Sequence, residues 1–227
     1  MSSVGWIAPR IDPVVVDRGR GAYGPAAMKR ADKKADKRLR IRDAAWKLFN
    51  ERGYDATTTR AVAEDAGVAA GTLFLYADDK ADLLFLVFHD RLQQAVQEAR
   101  DSLPRQATLV PQLLHVFRGI FTMYGETPAL AAEFVRALPS ARGRNAQEVN
   151  ALTFTFFAYL AQMVREAQHR GEVDPSIDTL LAARNIFSLY FGALLSWVAG
   201  IAPTIEMALD PVLRDALQLQ LRGLATR

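Results

Sequence analysis

The apolar residues of this chain recur with a helical period from Leu39 to the C-terminus, and this pattern limits the possible folds more than any other feature. No stretch alternates apolar and polar residues for long enough to predict a strand. Glycines and prolines interrupt the pattern where helices typically end and begin. The sequence therefore predicts an all-α fold of about nine helices.

The first three predicted helices form a recognisable unit. A helix over about 39–52 has one apolar face and ends at Gly53, and Thr58 is the expected N-cap of a short helix running to about Ala66. A tight turn at Gly67 follows, and a third helix continues to Tyr76. Two short helices joined by a glycine-containing turn make a helix-turn-helix, here at about 58–77.

The run from residue 39 to 84 resembles the DNA-binding domain of TetR-type bacterial transcriptional regulators. The matching residues, in order, are Phe49-x-x-x-Gly53-Tyr54-x-Ala56-Thr57-Thr58, Val62-Ala63-x-x-Ala66-Gly67-Val68 and Gly71-Thr72-Leu73-x-x-Tyr76-x-x-x-Lys80. The resemblance implies an N-terminal three-helix helix-turn-helix domain over 38–84. It also implies a helical ligand-binding and dimerisation domain over 85–227.

Within this motif, eight residues are candidates for DNA contact: Thr58, Arg60, Gly71, Thr72, Phe74, Leu75, Tyr76 and Lys80. Thr58 stands at a helix N-terminus, where free N–H groups favour a phosphate, and Arg60 can reach a phosphate or a base edge. The sequence departs from the family pattern, which has Tyr and His where this chain has Phe74 and Leu75. Because neither side chain donates a hydrogen bond, we expect them to contact thymine methyl groups.

The positive charge of the chain is concentrated near the N-terminus. Residues 85–227 contain 13 basic and 13 acidic side chains, whereas residues 28–40 contain seven basic and two acidic ones. A basic arm before a neutral body favours a polyanionic partner, although short basic runs are also common in solvated tails. Residues 1–37 are interpreted as a disordered basic tail, and Met28 is a candidate translation start.

The C-terminal half is rich in aromatic residues. The candidates for binding a small effector are Phe117, Phe121, Phe134, Phe157, Phe187, Phe191 and Trp197, with core packing as the alternative for each. Arg118 and Glu133 are possible polar contacts. A helix over about 176–200 is apolar all round, so we expect a second subunit to cover one side. Leu194 and Leu217 are expected at this homodimer interface.

Several other classes of function lack support. The chain has no Cys, and its three His are too widely spaced to form a metal site, so we expect no metal and no cofactor. No catalytic motif occurs, so the protein is not expected to be an enzyme. The uncharged stretch Asn185–Ile205 is interpreted as a buried helix rather than a membrane span, which favours a cytoplasmic protein without a membrane partner.

Together these features favour a homodimeric, DNA-binding transcriptional regulator. The specific hypothesis is a repressor that leaves double-stranded operator DNA when a small, largely apolar effector binds. The alternatives are a ligand-independent DNA-binding protein and a helical enzyme.

Overall fold

The structure, a computed structural model, describes residues 25–224, with side chains from 32 to 223. These residues form ten α-helices, nine of which have at least four residues, and no strand, as the periodicity predicts. The α-helices are α1 (Pro25–Arg52), α2 (Thr59–Asp65), α3 (Ala70–Leu73), α4 (Lys80–Asp101), α5 (Leu109–Gly125), α6 (Pro128–Ala137), α7 (Arg144–His169), α8 (Thr179–Val198), the three-residue α9 (Ile205–Met207) and α10 (Arg214–Leu224). A 3₁₀ turn at Leu138–Ser140 follows α6, and a π-helical segment at Ala208–Leu213 precedes α10.

The first helix is longer than predicted. It begins at Pro25, so residues 25–37 continue a helix, and the disordered tail expected up to residue 37 is wrong for this part. The remaining tail, residues 1–24, lies outside the described residues. The chain divides into two units between Asp36 and Lys37. In the first unit, the described side chains of 32–36 are exposed.

In the second unit, local sequence signals set the helix ends. The Thr58 hydroxyl accepts a hydrogen bond from the Ala61 N–H (3.1 Å), so Thr58 is the N-cap of α2 as predicted. Asp79 caps α4 in the same way, through the Asp82 N–H (2.7 Å). Gly67 between α2 and α3 has a φ of 62°, a left-handed conformation that glycine adopts without strain.

The core runs without a break from the helix-turn-helix into the C-terminal helices. The predicted apolar face of α1 is buried, and residues 82–88 of α4 are buried on all sides. Phe88 of α4 stacks on Phe134 of α6 with ring centroids 4.4 Å apart. The domain boundary expected at residue 84 falls inside α4, and the second unit does not divide there. The DNA-reading helices and the C-terminal helices thus share one core.

Helix α8 is only partly covered by its own chain. Ala183, Ile186 and Leu194 are buried, whereas Leu181 and Leu195 are exposed. Among the described residues, α8 alone is long and apolar enough to cross a membrane by length and composition, and a third of its apolar window is buried within the protein. Its buried face packs on α7, so the helix belongs to the fold rather than standing apart from it.

Candidate functional site

The segment that follows the turn of the helix-turn-helix has an apolar tip. Leu73 and Tyr76 are directed into the core, while 47% of Phe74 and 65% of Leu75 remain exposed. Gly71 is exposed, and a Cβ at this position would have no neighbour within 4 Å. A surface at Gly71 can therefore approach another molecule closely, with Phe74 and Leu75 beside it.

The polar candidates on α2 and α3 surround this tip. Arg60 lies in the first turn of α2 with 84% of its side chain exposed, and its Nε donates to Glu64 (3.0 Å). Such an exposed pair is weak, so the guanidinium is available to a stronger acceptor. Thr58 is exposed at the N-terminus of α2, and Thr72 is half-buried on α3.

Two candidates from the sequence are held by the protein itself. Tyr76 is almost fully buried, so its ring is a packing residue and only a small part of it can meet a phosphate. Lys80 donates from Nζ to the carbonyls of Tyr54 (3.1 Å) and Asp55 (3.2 Å) and lies over the Tyr54 ring. Burial raises the pKa of the Tyr54 phenol, which stays neutral. Lys80 thus fixes the loop before α2, and its phosphate contact remains a prediction.

The basic arm also divides into two groups. Arg38 pairs with Glu148 (2.6 Å), and Arg40 donates to the carbonyls of Ala66 (3.0 Å from Nε) and Gly67 (2.9 Å), where α2 ends. These two arginines stabilise the fold. The lysines Lys33, Lys34 and Lys37 are exposed, which leaves them accessible to a polyanion.

A cavity of about 290 Å³ lies among helices α4 to α8. Of the predicted effector residues, Phe134, Phe187 and Phe191 line it. The rest of the lining is Leu92, Val96, Ile120, Tyr124, Leu138, Pro139, Val149, Asn150, Leu152, Thr153, Phe156, Tyr190 and Leu194. These three aromatic residues line a cavity in the bundle interior, and their contact with an effector remains a prediction.

The other four predicted residues do not line the cavity. Phe117 stacks on Tyr190 (centroids 4.7 Å apart) and Phe157 packs on Phe187 (4.8 Å), so both lie behind lining residues. Phe121 is a further packing partner of Tyr190. Trp197 is part of the half-buried shell around the core. The aromatic pattern thus marked the right region but did not separate the wall from the layer behind it.

Neither of the polar contacts expected for the effector lines this cavity. Arg118 is exposed and outside this cavity, and Glu133 pairs with Arg136 (2.7 Å) on the surface. Among the described residues, the lining contains no Lys, Arg, Asp or Glu.

The polar groups that do line the cavity are neutral. They are Asn150, Thr153 and the phenols of Tyr124 and Tyr190, which share a hydrogen bond. Burial raises the pKa of both tyrosines far above the ordinary value, so neither ionises at physiological pH. Because an unpaired charge is costly in such surroundings, the cavity suits an uncharged, largely apolar group.

A polar junction that the sequence did not predict joins α7 to the end of the helix-turn-helix. The fully buried carboxylate of Asp82 accepts hydrogen bonds from the backbone and side chain of Asn145, and Arg144 pairs with Asp78 (2.9 Å). These partners are separated by more than 60 residues in the chain. No local pattern links them, and the only signal in the sequence is an Asp in the first turn of an otherwise apolar helix segment.

Helices α8 and α10 also have exposed apolar side chains outside these two sites. On α8, Leu181, Ser188 and Leu195 follow one another at intervals of seven residues, so they lie on one face of the helix together with Gly192. On α10, 71% of Leu219 is exposed. The expectation that Leu194 and Leu217 lie at an interface is wrong. Both are buried inside their own chain, at 1% and 2% exposure.

In the described part of the chain, no three His, Asp or Glu side chains are placed to hold a metal ion. The fold and the two sites define a class of protein: a helix-turn-helix DNA-binding regulator with a partly open apolar cavity in the same unit. Comparison with known proteins agrees with this class. The sequence profile described as "Bacterial regulatory proteins, tetR family" matches residues 41–87. Residues 41–87 are therefore a DNA-binding domain of the TetR type, and the protein is a DNA-binding transcriptional regulator.

Similar proteins extend the likeness beyond the DNA-binding helices. The chain is 27% identical to the fatty acid metabolism regulator protein of Bacillus subtilis over 165 residues, which are 73% of this chain and 85% of that protein. It is 26% identical to the transcriptional repressor KstR of Rhodococcus jostii over 186 residues, 79% of this chain and 84% of the repressor.

Among solved structures, FadR of Thermus thermophilus in complex with lauroyl-CoA superposes with a TM-score of 0.68 at 25% identity, over 84% of this chain and 96% of FadR. FadR of Bacillus subtilis in complex with stearoyl-CoA gives a TM-score of 0.64 at 25% identity, over 82% of this chain and 98% of FadR.

Proposed function

We propose that this protein is a homodimeric repressor that is released from operator DNA when an acyl group enters the cavity between α4 and α8. The observation that carries the proposal is the position of this cavity. It is lined by helices that share one core with the helix-turn-helix, so an occupant that favours another packing of these helices also favours another position of the residues proposed to read DNA.

The chemistry of the wall supports an acyl ligand. The lining is aliphatic and aromatic, and its polar groups are uncharged at physiological pH. Two similar solved structures, the FadR proteins described above, were determined with lauroyl-CoA and stearoyl-CoA. The proposed effector is therefore a fatty acyl thioester whose hydrocarbon part occupies the cavity, while its charged part remains outside the apolar lining.

A second copy of this chain is the proposed partner for the exposed face of α8 and α10. Leu181, Leu195 and Leu219 lose their contact with water when two copies pair about a two-fold axis. A dimeric helix-turn-helix regulator reads two half-sites about 34 Å apart, or a multiple of this distance. Because its partner is bacterial operator DNA, we place the protein in the cytoplasm.

At each half-site, Phe74 and Leu75 supply apolar contacts to bases, and Arg60 and Thr72 supply polar ones. The phosphate contacts fall to Thr58, Lys80 and the exposed lysines of the arm, with Gly71 allowing close approach. The affinity from phosphate contacts falls as the salt concentration rises, whereas the affinity from base contacts changes with the DNA sequence. Measuring binding against salt and against sequence therefore separates the two groups.

The proposal is tested in two steps with the full-length chain. Selection of bound sequences from random DNA should yield a palindrome with two half-sites. Lauroyl-CoA should then release the protein from this operator in a fluorescence anisotropy titration, whereas CoA alone at the same concentration should not.

Two results would contradict the proposal. Equal binding to the operator and to random DNA of the same length would show a ligand-independent DNA-binding protein without sequence preference. Release by CoA alone would show that the acyl chain, and hence the apolar cavity, has no part in the response.

A further inference from the structure

The N-terminus of α7 is capped by a carboxylate from another helix. Asp82 lies in the first turn of α4, and its Oδ1 accepts from the backbone N–H groups of Asn145 (3.0 Å) and Ala146 (3.2 Å). Its Oδ2 accepts from the Asp78 N–H (3.0 Å) and from Nδ2 of Asn145 (2.9 Å). The first N–H groups of a helix have no partner within the helix, and its dipole favours a negative charge there. The Asp82 carboxylate accepts hydrogen bonds from these N–H groups and places a negative charge beside them.

Gly143 makes this approach possible. It precedes α7 with a φ of 103°, and a Cβ at this position would lie 2.6 Å from the Asp82 carboxyl group. A side chain at residue 143 would therefore displace the carboxylate as well as strain the backbone. The close contact of α4 and α7 at this point is specific to the residues present.

The first two residues of α7 also hold the end of the DNA-reading segment. Nδ2 of Asn145 donates to the Tyr76 carbonyl (2.8 Å), and the Arg144 guanidinium donates to the Leu75 carbonyl. Arg144 also binds the Asp78 carboxylate through Nε (3.1 Å) and Nη2 (2.9 Å). Leu75 itself is exposed at the tip that faces DNA. Its backbone position is thus set by α7.

The same helix forms a wall of the cavity. Val149, Thr153 and Phe156 of α7 line it, and Val149 lies only about 6 Å along the helix axis from Asn145 at the usual rise per residue. A helix turn transmits displacement as a rigid element, since its backbone hydrogen bonds resist local stretching. A shift of α7 caused by an occupant of the cavity is therefore passed to Arg144 and Asn145.

We infer that Arg144 and Asn145 are positioning residues, which fix the recognition segment for operator DNA and link it to the occupancy of the cavity. This inference rests on the proposed function and adds the residues through which it acts. Neither side chain needs to touch DNA or ligand. A partly broken junction is unfavourable because the buried Asp82 carboxylate would lose hydrogen-bond donors. The junction therefore favours a fully formed arrangement or a fully separated one, rather than intermediate positions of α7.

The test compares Arg144→Ala with Arg136→Ala, a matched control. Both arginines pair with an acidic residue, and 49% and 53% of their side chains are exposed, but Arg136 pairs with Glu133 of its own helix α6 rather than with a residue of the junction. The measurements are the affinity for the selected operator, the affinity for random DNA, the melting temperature, and the change in operator affinity caused by lauroyl-CoA. Asn145→Ala serves as a second variant. Asp82 is left intact because its loss would report on folding.

For Arg144→Ala we expect operator binding about tenfold weaker than in the control, with unchanged binding to random DNA and an unchanged melting temperature. The factor by which lauroyl-CoA weakens operator binding should fall toward one, although lauroyl-CoA still raises the melting temperature. Asn145→Ala should change operator binding in the same direction.

The inference is overturned if Arg144→Ala binds the operator as tightly as Arg136→Ala. It is also overturned if binding to operator and random DNA falls equally, or if the melting temperature falls with it, because these results describe a structural role. If lauroyl-CoA fails to act even on the unaltered protein, the proposed effector is wrong, while operator affinity still decides whether Arg144 positions the recognition segment.

Discussion

Phe74 and Leu75 expose 47% and 65% of their surface at the tip proposed to read DNA, whereas Phe134 in the wall of the cavity is fully buried. The two regions are both apolar, but only the second is packed by its own chain. A buried aromatic ring contributes to the free energy of folding. An exposed ring contributes little to the free energy of folding and gains stability only when another molecule covers it. The exposed tip therefore indicates a binding partner, whereas the buried wall indicates how the chain folds.

The two regions also differ in charge, and the link between them is polar. Arg60 and the lysines of the arm are exposed basic side chains, whereas the cavity has a neutral lining among the described residues. Between them, Arg144 and Asn145 connect α7 to the recognition segment through directional hydrogen bonds. Apolar contacts tolerate sliding better than such hydrogen bonds do, so the polar link is suited to transmitting a defined position.

The largest effect should come from exchanging one aromatic ring in each region for Ala. Phe134→Ala removes a buried ring that stacks on Phe88, and should lower the free energy of unfolding by about 3–5 kcal/mol. Phe74→Ala should lower it by only about 1 kcal/mol, because about half of the ring is already exposed. Urea denaturation measures both. Equal destabilisation by the two variants would remove the distinction between the regions.

A somewhat smaller effect is expected at the third apolar surface, on α8. Leu181→Glu places a charge on the face assigned to the second subunit and should shift the protein from dimer to monomer in light scattering, with a loss of operator affinity. Arg165→Glu, at an exposed position of α7 outside this face, is a control for added negative charge. A Leu181→Glu variant that stays a dimer would show that this face has another role.

The smallest effect concerns the bases read by the tip. Replacing thymine by uracil in the half-site deletes only a methyl group, so we expect binding to weaken at one or two positions where Phe74 or Leu75 contacts it. With Phe74→Ala and Leu75→Ala, the same replacement should have no effect at those positions. Equal affinity of the unaltered protein for both operators would assign Phe74 and Leu75 no part in base recognition.

Local patterns were sufficient to predict the helices and the local geometry of the helix-turn-helix. Thr58 caps α2 because its hydroxyl accepts a hydrogen bond from a backbone N–H in the first turn of the helix. Gly67 marks a turn whose positive φ is unfavourable for other residues. The exposure of Phe74 and Leu75 follows from their place on a short helix end. These features depend on residues a few positions apart.

Features that depend on distant residues could not be predicted in this way. Lys80 binds the carbonyls of Tyr54 and Asp55 instead of remaining fully available for phosphate, and the partner of Asp82 is 63 residues away. Likewise, an aromatic residue in the wall has the same helical spacing as one in the layer behind it. Only the packing of α5, α7 and α8 places Phe187 at the cavity and Phe117 behind it.

The central claim, that an occupant of the cavity controls DNA binding, is tested by two matched substitutions on α7. Thr153 lines the cavity and Thr155 is exposed on the same helix, and each hydroxyl donates to the carbonyl four residues earlier, at 3.0 and 3.2 Å. Thr153→Trp fills the cavity with a larger side chain, while Thr155→Trp places the same ring in solvent.

The measurement is the concentration of lauroyl-CoA that releases half of the bound operator. We expect Thr153→Trp to bind the operator but to need at least about tenfold more lauroyl-CoA, a cost of 1.4 kcal/mol or more in effector binding. Thr155→Trp should respond as the unaltered protein does. If both variants release the operator at the same concentration as the unaltered protein, the effector does not act from this cavity.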